Sequence, residues 1–202
     1  MKKKMQLHLP FGRMMSNSRL VINFDRVDSN IKHLSKGKEY CLMVKGNCYG
    51  LGEEAIIELI NRGHSYFGVS TLEEAIKLRE YSKEIKILIV IPIGEENYKI
   101  AADERFEITI TSIKQLEQLT KNNLFHLKFD TGMHRLGFSP ADKEQLLSII
   151  NAQPEITIKG IYSHLADADN AQAFAYTHKQ IELFEAIISF YRDNLNTAFC
   201  AH

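Results

Sequence analysis

One pattern limits what this chain can fold into: a short, continuously apolar run followed by a segment with helical spacing, repeated along most of its length. Strand-length runs fall at about 40–46, 66–70, 86–91, 106–110, 124–130, 156–162 and 196–201. Lys86-Ile87-Leu88-Ile89-Val90-Ile91 is the clearest of them. These runs do not alternate polar with apolar residues. Strands of this kind are covered on both faces, as in a parallel sheet packed between helices.

The intervening segments carry helix signals. Asp25 reads as the cap of a helix with Val27, Ile31 and Leu34 at helical spacing. A second helix begins near Gly52 and is ended by Gly63. Thr71-Leu72-Glu73-Glu74 has the form of a capping box opening a helix through about Tyr81, and Ser112-Ile113-Lys114-Gln115 repeats it, with Leu116 and Leu119 facing inward. Ser139-Pro140 supplies a cap and a proline at the first helical position. A last helix, about 171–193, places Ile181, Phe184, Ile187 and Ile188 on one side. The alternation predicts an α/β domain. Periodicity leaves two architectures open, a doubly wound sheet and a (β/α)8 barrel. Seven strands are legible, and the chain stops inside the seventh, after Ala201-His202, with no turn or cap. That ending reads as a truncated frame.

Composition narrows the function classes. Lys plus Arg and Asp plus Glu number 25 each, so the formal net charge is zero. Nucleic-acid and membrane-surface proteins usually carry a basic excess. No apolar run approaches the roughly 18 residues that span a bilayer. Lys2, Lys3 and Lys4 open the chain, but His8, Pro10, Gly12 and Arg13 interrupt the stretch after them. Residues 1–18 therefore read as a flexible leader, with a basic targeting tail as the alternative. Cys41, Cys48 and Cys200 show neither zinc spacing nor a disulfide framework, which suits a reducing cytoplasm.

Three strand ends concentrate chemistry-bearing residues. Lys45 follows Cys41-Leu42-Met43-Val44 and precedes Gly46-Asn47-Cys48-Tyr49-Gly50-Leu51-Gly52. A lysine there either reaches solvent or serves as a Schiff-base amine. The glycines form either a tight turn or an anion-binding turn; they match no dinucleotide or P-loop fingerprint. The second end is His126-Leu127-Lys128-Phe129-Asp130-Thr131-Gly132-Met133-His134-Arg135-Leu136-Gly137, either a loop with local ion pairs or a site whose Arg135 grips a carboxylate or phosphate. The third is Tyr162-Ser163-His164-Leu165-Ala166-Asp167-Ala168-Asp169, a strand ending in a histidine followed by carboxylates. His164 and Asp167 lack further ligands at a telling spacing, so no metal is expected. In a barrel, Lys45, Arg135, His164 and His202 would converge on one face.

These segments resemble the bacterial alanine racemases. Val44-Lys45-Gly46-Asn47-Cys48-Tyr49-Gly50-Leu51-Gly52 is similar to the family's cofactor-lysine motif, usually Val-Lys-Ala-Asp/Asn-Ala-Tyr-Gly-His-Gly. Phe67-Gly68-Val69-Ser70-Thr71-Leu72-Glu73-Glu74-Ala75, Lys128 through Gly137, and Gly160-Ile161-Tyr162-Ser163-His164-Leu165-Ala166 resemble further family segments in the same order, over about residues 20–202.

The resemblance implies an incomplete (β/α)8 TIM-like barrel over residues 19–202 that binds pyridoxal 5′-phosphate. It also implies a C-terminal β domain, absent here, and a head-to-tail homodimer. Lys45 would form the Schiff base and carry protons. Tyr49 would bind the cofactor phosphate, Arg135 would hold the substrate carboxylate and the cofactor's phenolic oxygen, and His164 and His202 would belong to the cofactor's network. Lys128 matches a lysine that can be carbamylated in relatives, where it orients that arginine. The implied activity is interconversion of L- and D-alanine for peptidoglycan, in the cytoplasm. The opposite base would be a tyrosine from the other subunit's C-terminal domain. Gly46, Cys48 and Leu51 depart from the motif beside its functional positions. Rival readings are a serine-preferring racemase of the same fold, a non-catalytic pyridoxal-phosphate barrel and an inactive fragment.

Overall fold

The computed structural model describes Met5, Gln6, residues 20–170, Gln172 and residues 174–202. The rest of the expected leader lies outside the described residues. Met5–Gln6 (β1) pairs antiparallel with Val21–Ile22 (β2).

Among the described residues the main sheet has seven strands: β3 (Leu42–Met43), β4 (Tyr66–Val69), β5 (Lys86–Ile89), β6 (Glu107–Ile110), β7 (Leu124–Lys128), β8 (Thr157–Tyr162) and β9 (Cys200–Ala201). Every neighbouring pair is parallel, and the order across the sheet is the order along the chain. That order decides between the two architectures. A doubly wound sheet reverses its strand order at a switch point; this one never does. It is the wall of a (β/α)8 barrel, incomplete at seven strands, with β3 and β9 at its two ends.

The predicted strands are all present and mostly shorter than their apolar runs. All four residues of β4 and all four of β6 are buried, as expected of strands covered by helices on one side and barrel interior on the other. Ile87, Ile89, Ile108, Ile110, Phe125 and Leu127 are the fully enclosed centre of this wall. Burying each such side chain contributes about 1.5–3 kcal/mol. The outer layer includes helices Phe24–Ser35, Glu53–Asn61, Leu72–Tyr81, Lys143–Asn151 and the 21-residue Phe174–Asn194. The last presents Ile187 and Ile188 to the core.

The caps follow the sequence with instructive exceptions. Asn23, not Asp25, caps the first helix, accepting a hydrogen bond from the Arg26 amide at 3.2 Å. Asp25 lies in the first turn, and its carboxylate pairs with Arg62 at 3.1 Å. Thr71 and Ser112 do cap their helices, accepting from the amides of Glu74 and Gln115. Neither box closes on its cap residue. Glu74 accepts from the Ser70 amide and Gln115 from the Thr111 amide, each one residue earlier. Ser139 and Asp142 form a complete box with Pro140 inside it.

Candidate active site

All six residues singled out in the sequence line one cleft at the C-terminal end of the sheet: Lys45, Tyr49, Lys128, Arg135, His164 and His202. The cleft has a volume of about 490 Å³. Parallel strands with helices outside bring the residues just past each strand to one rim, which is where such folds bind ligands.

Lys45 and Tyr49 come together through an unusual local geometry. Gly46, Asn47 and Cys48 have φ of 60°, 53° and 56°, and Tyr49 has 53°, one turn of left-handed helix. Each non-glycine residue held there costs about 1–2 kcal/mol. The turn is fixed by the Cys48 amide donating to the Val44 carbonyl at 2.8 Å and by the buried Cys48 side chain. Four residues apart on one turn, Lys45 and Tyr49 face the same cleft. The turn also decides what the glycines do. The Gly50 amide donates to the carbonyls of Gly46 and Asn47, the Gly52 amide to that of Asn47, and the Gly46 amide to Glu74. These donors are consumed inside the protein, so the segment is a tight turn and not an anion cradle.

The segment after β7 folds back on its own strand. The Phe138 amide donates to the Lys128 carbonyl at 2.8 Å, and the Asp130 amide to the Phe138 carbonyl at 2.9 Å. Asp130 accepts from the amides of Gly132 and His134 at 2.9 and 3.0 Å. Its carboxyl is held below the usual carboxylate range: burial opposes this, but those backbone donors and the nearby His134 outweigh it. Asp130 therefore shapes the loop, and Arg135 rides at its tip. His134 is 83% exposed on its side chain and lies outside the cleft's lining.

Lys128 ends β7 with only 6% of its surface exposed. Its Nζ lies 5.6 Å from the centre of the Tyr162 ring, and no carboxylate pairs with it among the described residues. Burial lowers its pKa, and the charges of Arg135 and Lys45 lower it further. Tyr162 is a fixed floor, its hydroxyl 2.8 Å from Thr109 Oγ1 and 3.3 Å from the Val90 carbonyl. Sequence reasoning placed Tyr162 in the third strand-end segment but gave it no role; its place at the end of β8, two residues before His164, was the available signal.

His164 has its pKa lowered by lost solvation and by the cations Arg135, Lys128 and Lys45. His202 continues the β8–β9 ladder. Its amide donates to the Ile161 carbonyl, and its carbonyl accepts from the Ser163 amide, both at 3.1 Å. The cleft wall thus holds three cations, Lys45, Lys128 and Arg135, and among the described lining residues no Asp or Glu. No cluster of three or more His, Cys, Asp or Glu side chains among the described residues is arranged to hold a metal ion. No helix among them is long and apolar enough to cross a membrane.

The fold and this rim define an α/β-barrel protein with a lysine at its ligand cleft. The family profile for the N-terminal domain of alanine racemase matches residues 20–202, and the chain belongs to the alanine racemase family. It is 37% identical over 165 residues to the alanine racemase of Fusobacterium nucleatum subsp. nucleatum, covering 79% of this chain and 46% of that protein. It is 31% identical over 172 residues to alanine racemase 1 of Bacillus subtilis, covering 82% and 44%. Among solved structures, alanine racemase of Clostridium difficile 630 superposes with a TM-score of 0.77 at 22% identity, covering 88% of this chain and 53% of that one. The enzyme of Corynebacterium glutamicum gives 0.74 at 28% identity, covering 84% and 51%. The chain spans about half the length of the curated relatives it matches.

Proposed function

We propose that this chain is the cofactor-bearing part of a pyridoxal 5′-phosphate-dependent alanine racemase. In this reading it interconverts L- and D-alanine for peptidoglycan in the cytoplasm, as a homodimer. The observation that carries the reading is the cleft wall: one lysine amine flanked by two further cations, with no Asp or Glu among the described lining residues. Such a wall suits a ligand that brings an aldehyde for the amine and negative charge for its neighbours. A phosphorylated aldehyde meeting an amino-acid carboxylate does both. The residues present therefore fit the cofactor.

Lys45 would hold the cofactor covalently through its amine and would carry the α-proton on its own face. Tyr49, four residues on, offers a hydroxyl to the phosphate. Arg135 presents the planar fork that grips a carboxylate through two parallel hydrogen bonds. Lys128, buried in the same cleft wall, adds positive charge and restricts where the arginine can sit. His164, whose charged form is disfavoured, and His202 bound the remaining wall as uncharged hydrogen-bonding groups. When bound, pyridoxal 5′-phosphate withdraws electrons from the bonds to the substrate α-carbon. Proton return on the opposite face needs a second acid–base group, which the family resemblance assigns to a tyrosine of the other subunit's C-terminal domain.

The test is an absorbance titration of the chain with pyridoxal 5′-phosphate, followed by borohydride reduction and peptide mapping. A reduced adduct on Lys45, lost in Lys45→Ala, supports the reading. Equal spectra for wild type and Lys45→Ala would sink it. With an adduct in hand, racemisation and α-proton exchange of alanine are assayed with the C-terminal half of a relative supplied as a second chain.

A further inference from the structure

The left-handed turn after Lys45 is strained, yet its first peptide is gripped from outside the turn. The Gly46 amide, which belongs to the peptide bond leaving Lys45, donates to Glu74 Oε1 at 2.6 Å. The other oxygen of the same carboxylate, Oε2, accepts from the Ser70 amide at 2.7 Å. Ser70 directly follows β4, the strand beside Lys45's own strand. On the other side of the lysine, the Val44 amide donates to the Gly68 carbonyl at 2.8 Å. Lys45 is thus clamped on both flanks to the end of β4, by backbone before it and by the Glu74 side chain after it. The lysine's own amine is not involved.

Glu74 reaches this position because helix Leu72–Tyr81 starts immediately after β4, with Thr71 capping the Glu74 amide. The sequence pattern would send the Glu74 side chain back to the Thr71 amide. The structure sends it one residue further and across to Gly46. Two donors meeting two carboxylate oxygens explain why a glutamate stands here. A glutamine offers one carbonyl oxygen, and its NH2 would face one of the two N–H groups.

We propose that Glu74 is a positioning residue for Lys45, fixing the peptide that follows the lysine and so the direction in which its amine enters the cleft. This rests on the reading of Lys45 as the cofactor-binding amine, and the experiment separates the two claims. The first measurement uses wild-type chain without cofactor. The Gly46 and Ser70 amide proton shifts are followed by NMR as pH falls through the carboxylate range. A shared midpoint for the two amides is expected; independent or absent titration overturns the proposal, whatever happens to any variant. The second compares wild type with Glu74→Gln in competitive reductive methylation, scoring Lys45 against the exposed Lys99 across pH. The expected result is at least a fivefold change in relative Lys45 labelling or a displaced pH profile. It should accompany at least tenfold faster exchange of the Gly46 or Ser70 amide. An unchanged Lys45 profile despite faster amide exchange overturns the proposal, because a merely structural glutamate would give that result. Capture of pyridoxal 5′-phosphate on Lys45 is measured separately. Its absence in wild type counts against the cofactor reading, while the amide and labelling data still judge Glu74.

Discussion

Inside the barrel wall, His126 of β7 meets Glu107 of β6 with 2.7 Å between Nε2 and Oε2. Tyr66 donates its hydroxyl to the same carboxylate oxygen, also at 2.7 Å. The two side chains are 1% and 7% exposed, so the carboxylate has exchanged water for these two donors. Removing the carboxylate leaves the buried His126 Nε2 and Tyr66 hydroxyl without the partner they share. Glu107→Leu is expected to cost about 3 kcal/mol in denaturant unfolding. Glu107→Gln, which keeps an acceptor oxygen, should cost about 1 kcal/mol.

The same pair sets an acid limit. Burial raises the Glu107 carboxyl, but His126 and Tyr66 outweigh it and hold the pKa below its ordinary value of 4.5. A carboxyl lowered in the folded state contributes stability above its unfolded pKa and loses it as pH falls through the folded one. Unfolding free energy measured from pH 6 downward should fall more steeply in wild type than in Glu107→Gln. Parallel curves would contradict this.

Lys128 gives a slope of the same sign at higher pH, but there the charged form is the one the fold disfavours. Its pKa is lowered by burial and by Arg135, so the unfolded chain holds that proton more tightly than the folded one. Stability should climb as pH rises through the folded pKa toward the unfolded value. Lys128→Met should abolish that climb and stabilise the protein at neutral pH by about 1 kcal/mol, because a desolvated charge is removed while the stem's packing is kept. A destabilised Lys128→Met in urea unfolding would show that the ammonium is better compensated than its surroundings indicate.

Gly137 carries the loop that presents Arg135. Its φ is 140°, and a Cβ there would lie 2.6 Å from the Asp130 amide nitrogen and 2.7 Å from the Phe129 carbonyl carbon. Both neighbours are backbone and cannot rotate away. Gly137→Ala should cost about 2 kcal/mol in thermal unfolding and release the Phe138-to-Lys128 hydrogen bond to exchange. Gly46→Ala makes the contrast: no atom lies within 4 Å of its Cβ position, so only the left-handed φ of 60° is penalised, at about 1 kcal/mol.

His164 reports on the cleft's charge. Its imidazole is expected to titrate below the ordinary histidine value of 6.5, because solvation is lost and three cations face it. Arg135→Leu should raise that midpoint part of the way back, read from the His164 ring protons by NMR. No movement would mean that burial alone sets it.

Much of the site was legible because parallel α/β folds put chemistry at strand ends. Lys45, Lys128, His164 and His202 each follow or close an apolar run, and the fold gathers those positions with Tyr49 and Arg135 into one cleft. The first-helix cap departs from the sequence expectation for a tertiary reason. Asn23 and Asp25 are both good caps, and Arg62, far along the chain, claims Asp25. Glu74 was legible as a helix-start glutamate, but its partners were not, since Gly46 lies 28 residues upstream. The pairing of His126 with Glu107 gave no signal: a polar residue inside an apolar run shows its meaning only when the neighbouring strand supplies a partner.

The amino-acid sequence by itself determined where the strands and helices lie, because apolar spacing and capping residues act over a few neighbouring positions. The tertiary structure alone decided that the strands stand in chain order as a barrel wall and that the Lys45 turn is left-handed. It also decided that one carboxylate ties the lysine's peptide to the neighbouring strand. Those outcomes depend on contacts between residues tens of positions apart, whose energies no local pattern encodes.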